Sequence, residues 1–541
     1  MRHCNITFQP EGKRVSVHKG ANLVEAAGLA GIVLNTVCGQ KGTCGKCSVV
    51  IEPRGQSVLA CQYRVTEDVT VLIPPESRFV EHKILTEGIS RPEAVAPDIY
   101  KKYQSVAGNS PILGLAIDIG TTTIVVKLID MKSGKLLATA ADLNPQTKFG
   151  DDVISRIAYA GTDEKLAELN RFVVNRLDYL IADCCAASGA KRDDIYEACV
   201  VGNTTMNHIF LRLPVSQLGQ APYRAFSLDA RDLPAREAGL RINPAGNVHT
   251  LANIAGFVGA DTTAVALATA FDSAEELTLA IDIGTNGEVV IGTKDKLLAA
   301  SCAAGPAFEG ARITCGSRAA DGAIEAVVVE NNDIDIDVVG GAAPVSICGS
   351  GLIDAVAILL DLGIIDSTGR FESRDSIKSR LSTALALRVT EINQQPAFVF
   401  TYFDNAPGVY LTQKDIREVQ LAKAAIRAGI RLLQKRLSVS DADIKKIYLA
   451  GAFGNYIRPE SAQRIGLLPS VAVERIQSVG NAASSGAQMA LVSSYWRKLA
   501  SELAKKIQYI EIANEADFQT IFADSMRFDS AGKASPAITK E

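Results

Sequence analysis

Two kinds of chemistry are written in residue type and spacing. Cys38, Cys44, Cys47 and Cys61 form the pattern Cys-x5-Cys-x2-Cys-x13-Cys. Three thiolates on one glycine-rich loop and a fourth beyond the next strand suit a [2Fe–2S] cluster, with x5 where plant-type ligation has x4. Gly39, Gly42 and Gly45 let that loop wrap closely and aim N–H groups at sulfur. A four-cysteine zinc site is the alternative, but it favours two Cys-x2-Cys knuckles and this chain has one. The second chemistry is phosphate and cation binding. Ala116–Val126 and Ala280–Val290 agree at eight of eleven positions, each reading Ala-Ile-Asp-Ile-Gly-Thr before a Val-Val pair. Two such hairpins facing one another clamp a chain of phosphates. Gly120, Gly284 and Gly287 admit backbone N–H groups, while Thr121, Thr122, Thr123, Thr285 and Asn286 add donors. Asp118 and Asp282, each closing a strand, then hold a hydrated Mg²⁺.

These groups need elements to position them. Residues 1–80 alternate as short strands around one helix, Asn22–Ala30, and read as a separate module. Residues 81–111, with Pro92, Pro97 and Pro111 and with Pro74 and Pro75 just before them, read as a linker. Residues 112–270 and 271–525 form two halves of similar design, and residues 526–541 a disordered tail. The repeat distance is far outside solenoid periods, which supports a duplication. Within the halves, Ala198–His208 is a buried strand opening into Gly-Asn-Thr-Thr, so Asn203 and Thr204 are cleft candidates. His208 is an ordinary helix residue on this reading. Asn144–Arg156 enters a helix that continues through Lys165–Cys185, and Gln413–Leu437 is a long amphipathic core helix. Gly349 and Gly351 open a helix whose N–H groups meet a phosphate, with tight packing as the alternative. Gly451, Ala452, Phe453 and Gly454 end a strand and let a planar base approach the backbone. Ala482–Ala490 is a small-residue helix able to pack closely on a counterpart from the first half.

The chain has 541 residues, a net charge of −4 and no apolar run of 18, which excludes a basic nucleic-acid footprint and a spanning helix. The N-terminus lacks a signal peptide's apolar region, which predicts the cytoplasm. Of eleven cysteines, seven lack ligand spacing and read as small core residues.

Residues 1–80 resemble a β-grasp ferredoxin of the x5, adrenodoxin-like kind. Residues 112–490 resemble the actin, sugar-kinase and Hsp70 ATPase superfamily. They carry two phosphate hairpins, a Cys-Val-Val-Gly-Asn-Thr-Thr connecting segment, a Leu-Ala-Gly-Ala-Phe-Gly adenosine motif and a second connecting helix, in that order. The expected fold class is therefore a multidomain α/β and α+β chain: a [2Fe–2S] ferredoxin, then a duplicated, ribonuclease H-like ATPase. The whole chain resembles the reductive activators of corrinoid-dependent enzymes, whose wording Gly-Asn-Thr-Thr-Met and Gly-Pro-Ala-Phe-Glu-Gly-Ala also match. Some members place an extra domain between ferredoxin and ATPase, where this chain has a short linker, and another relative carries C-terminal [4Fe–4S] cysteines that this chain lacks.

The resemblance implies ATP, Mg²⁺ and a [2Fe–2S] cluster as cofactors, and Glu288 and Glu309 as candidates for positioning water. It implies a corrinoid protein of a methyltransferase or O-demethylase system as partner, a low-potential electron donor, and no nucleic acid or membrane. Members are often homodimers, though this sequence leaves assembly open. The alternatives are an activator of another radical or metalloenzyme, a nucleotide-binding electron-transfer scaffold, and a small-molecule kinase with a redox sensor.

Overall fold

Strict alternation builds the first strands. β1 (His3–Gln9) turns Cys4, Ile6 and Phe8 inward and leaves Asn5 exposed. It pairs antiparallel with β2 (Lys13–His18), and after the Leu23–Leu29 helix come β3 (Ser48–Glu52), β4 (Gln56–Leu59) and β5 (Val69–Leu72). The sheet order is β2-β1-β5-β3-β4, with β1 and β5 parallel and the other pairs antiparallel. One apolar core joins Ile6, Phe8, Leu23, Val49 and Val71 to Cys47 and Cys61. This is the mixed sheet on one helix that the ferredoxin resemblance implies. The structure is a computed structural model that describes residues 3–10, 12–30, 32, 34, 42, 47–74, 77, 88–89, 91, 95–404, 406–451 and 457–528. Cys38, Cys44, Ala452, Phe453 and Gly454 lie outside the described residues, as does the tail from 529 onward.

The chain forms two compact units, one of Met1–His82 with Pro145–Arg156, the other of Lys83–Asn144 with Ile157–Glu541. In the larger unit, β6 (Leu113–Ile119), β7 (Thr123–Asp130) and β8 (Leu136–Leu143) form an antiparallel meander. Then follow β9 (Ile195–Gly202), parallel to β6, and the pair β10 (Arg231–Pro234) and β11 (Asn247–Thr250), giving the order β10-β11-β9-β6-β7-β8. The second half repeats the plan. β12 (Thr278–Ile283), β13 (Gly287–Thr293) and β14 (Lys296–Cys302) are its meander.

A large insertion interrupts this repeat. It holds the sheet of β15 (Ala323–Glu330), β16 (Asp333–Val338) and β17 (Ser346–Ile347), and the short strands β18 (Val389–Ile392), β19 (Gln395–Val399), β20 (Tyr402–Phe403), β21 (Ala406–Pro407) and β22 (Tyr410–Thr412). The repeat resumes with β23 (Lys446–Ala450), β24 (Ile476–Gly480) and β25 (Ile507–Tyr509), in the order β24-β23-β12-β13-β14-β25. The five strands β11-β9-β6-β7-β8 therefore correspond in order and direction to β24-β23-β12-β13-β14.

Each half closes this unit with a small-residue helix, Ala260–Ala268 after β11 and Ala482–Val492 after β24. They pack so tightly that a Cβ on Gly486 would lie 2.2 Å from the Ala264 carbonyl oxygen. Only glycine permits that approach.

Three boundaries differ from the sequence reading. The helix expected from Asn144–Arg156 onward breaks after Tyr159 and restarts at Asp163, because Thr162 turns to extended backbone and its hydroxyl caps Lys165 N–H. Residues 526–528, expected in the tail, are packed on the body: Phe528 is 2 % exposed within the second-half core and its N–H donates to Ser367 O. Part of the expected linker is structural: Ile99 and Tyr103 are buried against the first half.

Candidate functional site

The two glycine hairpins meet tip to tip. Gly120 N–H closes on Thr123 O at 2.9 Å and Gly284 N–H on Asn286 O at 3.0 Å. These turns bring Thr122 Oγ1 within 3.3 Å of Thr285 Oγ1, and both hydroxyls donate to one carboxylate, Glu309, at 3.3 and 2.5 Å. Glu309 ends the short Pro306–Glu309 turn and also accepts from Arg318 at 3.2 Å. Thr121 Oγ1 accepts from Asn203 Nδ2 at 2.8 Å, while Asn203 Oδ1 caps the Thr204–Phe210 helix at Met206 N–H. The sequence reading placed Glu309 beside a water. The geometry also makes it the tie between the hairpins.

Below the tips, four carboxylates converge from both halves. Asp118 ends β6, Asp282 ends β12, Glu288 lies on β13, and Asp261 stands in the first turn of the Ala260–Ala268 helix. Asn481, the N-cap of the Ala482–Val492 helix, donates to Asp118 Oδ2 at 3.1 Å. Burial first, and the neighbouring Asp261 charge second, push Asp118 up to about 7, with the bond from Asn481 and the Lys127 charge pulling the other way. Asp282 is pushed up to about 7 by burial, then by Asp261 and Asp118. Burial also raises Asp261, and Glu288 rises well above the carboxylate range through burial and the charges of Asp261 and Asp282. Like charges gathered this closely ask for a cation.

The donor set is all oxygen, which suits Mg²⁺ held partly through its own waters. Gly451 follows β23 at φ +89°, and a Cβ there would fall 2.5 Å from Asp282 Oδ1, so a glycine at this bend leaves the carboxylate its place.

Several expected residues also have structural partners. Thr204 is fully buried and its hydroxyl donates to Ala255 O at 2.6 Å. Gly351 packs against β15, where a Cβ would lie 2.3 Å from Ile324 O, so packing alone accounts for a glycine at this position. Gly287 similarly abuts Ile426. His208 is the ordinary helix residue expected: Nδ1 pairs with Thr204 O at 2.8 Å, Nε2 with Ser227 N–H at 3.3 Å, and burial lowers its pKa to about 4. Two residues escaped sequence reasoning. Asp261 sits in Gly259-Ala-Asp-Thr-Thr, where an acid in a first helical turn is explained by the dipole alone. Asn481 likewise looks like a cap and nothing more.

In the smaller unit, Cys47 precedes β3 and Cys61 follows β4, and both are nearly inaccessible. Their sulfurs lie 3.4 Å apart with no disulfide between them, and Gln62 Nε2 stands 3.6 Å from Cys61 Sγ. Two thiolates on one tetrahedral metal at about 2.3 Å stand about 3.8 Å apart. The pair thus fits one iron of a two-iron cluster.

Three family models match the chain: the 2Fe-2S iron-sulfur cluster binding domain over residues 6–66, the RACo middle region over 113–274, and the C-terminal domain of RACo, the ASKHA domain, over 276–538. The chain is 35% identical to the corrinoid activation enzyme RamQ of Eubacterium limosum, covering 96% of this chain and 99% of the relative. It is 26% identical to the [Co(II) methylated amine-specific corrinoid protein] reductase of Methanosarcina barkeri, over 77% of each. The solved structure of a reductive activator for corrinoid,iron-sulfur protein superposes with a TM-score of 0.71 at 32% identity, covering 97% of this chain and 98% of that one. Among the described residues, no helix is long and apolar enough to cross a membrane. A two-iron ferredoxin domain followed by a duplicated ASKHA-type body, matched end to end, makes this chain a member of the family of reductive activators of corrinoid proteins.

Proposed function

We propose that this chain uses ATP to drive single electrons from a low-potential donor, through its ferredoxin unit, onto the Co(II) corrinoid of a partner protein in a methyltransferase or O-demethylase system, returning it to Co(I). The observation that carries this is the meeting of the two phosphate hairpins over a four-carboxylate cleft, on the same chain as a buried thiolate pair. A bound [2Fe–2S] cluster supplies one-electron redox chemistry, and Mg²⁺ neutralises phosphate charge. Cys38, Cys44, Cys47 and Cys61 would hold the cluster. Asp118 and Asp282, with Asp261 beside them, would hold the hydrated ion. Thr121, Thr122, Thr285 and Asn286 donate to phosphate oxygens, and a ligand reaching the hairpin tips exchanges the Thr122 and Thr285 bonds to Glu309 for its own. Glu288, whose carboxyl burial and the charges of Asp261 and Asp282 hold well above the usual carboxylate range, would take the proton of an attacking water.

An uphill electron costs a factor of ten per 59 mV, so a gap of roughly 300 mV is about five decades, or about 7 kcal/mol. ATP supplies energy of that order only by stabilising one conformation of the complex over another. The protein acts in the cytoplasm, without nucleic acid or membrane, and as a homodimer.

The test is anaerobic visible spectroscopy of the protein with a Co(II) corrinoid protein and reductant. Growth of the Co(I) band only with ATP is expected, and Asp282→Asn should abolish it while the cluster spectrum persists. Reduction of the cluster with cobalt fixed at Co(II) across several corrinoid proteins would overturn the reading.

A further inference from the structure

Ahead of β6, Gly88, Ile89, Arg91 and Asp98 are fastened to both halves of the ATPase body. Gly88 makes an antiparallel bridge with Gly480 at the end of β24, and Ile89 N–H donates to Val479 O at 3.0 Å. The fit at Gly88 leaves no side-chain room, since a Cβ would lie 2.4 Å from Asn481 O and 2.6 Å from Ser485 Oγ. Those two residues form the first turn of the Ala482–Val492 helix, and the Asn481 side chain holds Asp118. Three residues on, Arg91 turns to the other half. Its guanidinium pairs with both oxygens of Asp272 at 2.6 and 3.2 Å and reaches Leu267 O at 3.3 Å, at the far end of the Ala260–Ala268 helix. It also lies 4.6 Å from the ring centroid of Trp496, in the second half, and both partners of the ion pair are largely shielded from water. Asp98 completes the attachment by accepting Ser494 N–H at 2.8 Å, while its own N–H donates to Val492 O at 3.0 Å.

We propose that the anchors Gly88, Ile89, Arg91 and Asp98 act as a strap that reads the nucleotide state of the cleft and passes it along the chain toward the ferredoxin. Gly88 and Arg91 are its positioning residues. The strap is pinned to the helices that cross at Gly486 and Ala264, one from each half. Any rotation about that crossing must therefore stretch or shift it. At its Gly88 end it touches the very residue that donates to Asp118, so a change at the phosphate carboxylates reaches Gly88 through one side chain. A passive linker would need neither a glycine fitted against a helix N-terminus nor a shielded ion pair. The inference rests on the ATP-driven reading for its purpose, but its geometry and first test do not.

The first test is hydrogen exchange on the full-length holoprotein with ADP, with a non-hydrolysable ATP analogue and without nucleotide. The Ile89 amide should change its protection about tenfold between nucleotide states, as expected for an amide whose local opening tracks the cleft. Identical exchange in all three states overturns the strap, whatever the protein's activity. The second is Asp272→Asn, which frees the Arg91 end. ATP hydrolysis should stay within about twofold while ATP-dependent Co(I) formation falls about tenfold, the separation expected when a coupling element alone is lost. Equal losses in both, or none, would mark the ion pair as merely structural. If wild-type Co(I) formation proves independent of ATP but Ile89 still responds to nucleotide, the functional reading fails and the strap stands.

Discussion

Nucleotide binding should weaken steeply below neutral pH, because the cleft's own carboxylates compete for protons. Asp118 and Asp282 both sit at about 7. If each must be ionised to hold the hydrated cation, moving from pH 8 to pH 6 costs about 1.4 kcal/mol per group, so affinity for Mg²⁺-nucleotide falls about 100-fold. The sign follows from the raised values. The empty protein binds these protons more tightly than the unfolded chain, so its stability falls as pH rises from the ordinary carboxylate range toward 7. A bound cation reverses that trend. Calorimetric titration with Mg²⁺-nucleotide between pH 6 and 8 reads the effect directly.

The nucleotide's own phosphate also titrates, so the control is Asp261→Asn. It removes the charge that raises Asp118 and Asp282 and leaves the ligand unchanged. Its profile should be shallower, with a lower midpoint. Parallel profiles for the two proteins, or a flat wild-type profile, would refute the electrostatic account of the site.

Asn481→Ala removes a bond that holds Asp118 down, so the midpoint of the same profile should move upward and affinity at pH 7 should drop by about 1.5 kcal/mol. Gly451→Ala forces a Cβ into φ +89° against the Asp282 carboxylate. Thermal and urea unfolding should show about 1–3 kcal/mol of lost stability, with weakened nucleotide binding. Cys61→Ser should bleach the visible absorption of the cluster yet leave nucleotide affinity within about twofold, because the sites lie in separate compact units. A shared loss would show that the units are not independent in binding. Glu309→Gln keeps an acceptor for Thr285 but loses the carboxylate charge and the ion pair with Arg318, so the ligand meets a weaker competitor for the threonine hydroxyls and affinity should rise a few-fold, by about 1 kcal/mol.

The repeated hairpins were legible because a strand ending in Asp-Ile-Gly-Thr must place its acid and hydroxyls together, and the repeat told where to look twice. Gln413–Leu437 came through with its bounds intact, since its stripe of Ile416, Val419, Ile426 and Ile430 starts at a Thr412–Asp415 capping box. Harder to read were local patterns with two physical meanings. Gly349-Ser-Gly351 suits a phosphate or a close strand, and the nearness of Ile324 O to Gly351 shows the second, which no local pattern announces. Proline spacing in 81–111 suits a free linker, yet the burial of Ile99 and Tyr103 depends on distant residues such as Tyr196. Asp261 was invisible for the same reason. Its meaning comes from Asp118, Asp282 and Glu288, which lie on other stretches of chain.

The apolar layer between the two sheets sets how this body comes apart. Ala116, Cys199, Leu251 and Ala264 from the first half share one continuous cluster with Ala280, Val290, Tyr448 and Ala487 from the second. The division between residues 274 and 276 is thus a division of sequence alone. Neither half, expressed separately, could cover that face, and each would offer water a sheet of alanine and valine that its twin normally conceals. On heating, the duplicated halves should melt as a single calorimetric event, with the ferredoxin unit as a second. A gene duplication that began as two copies has become, energetically, one object.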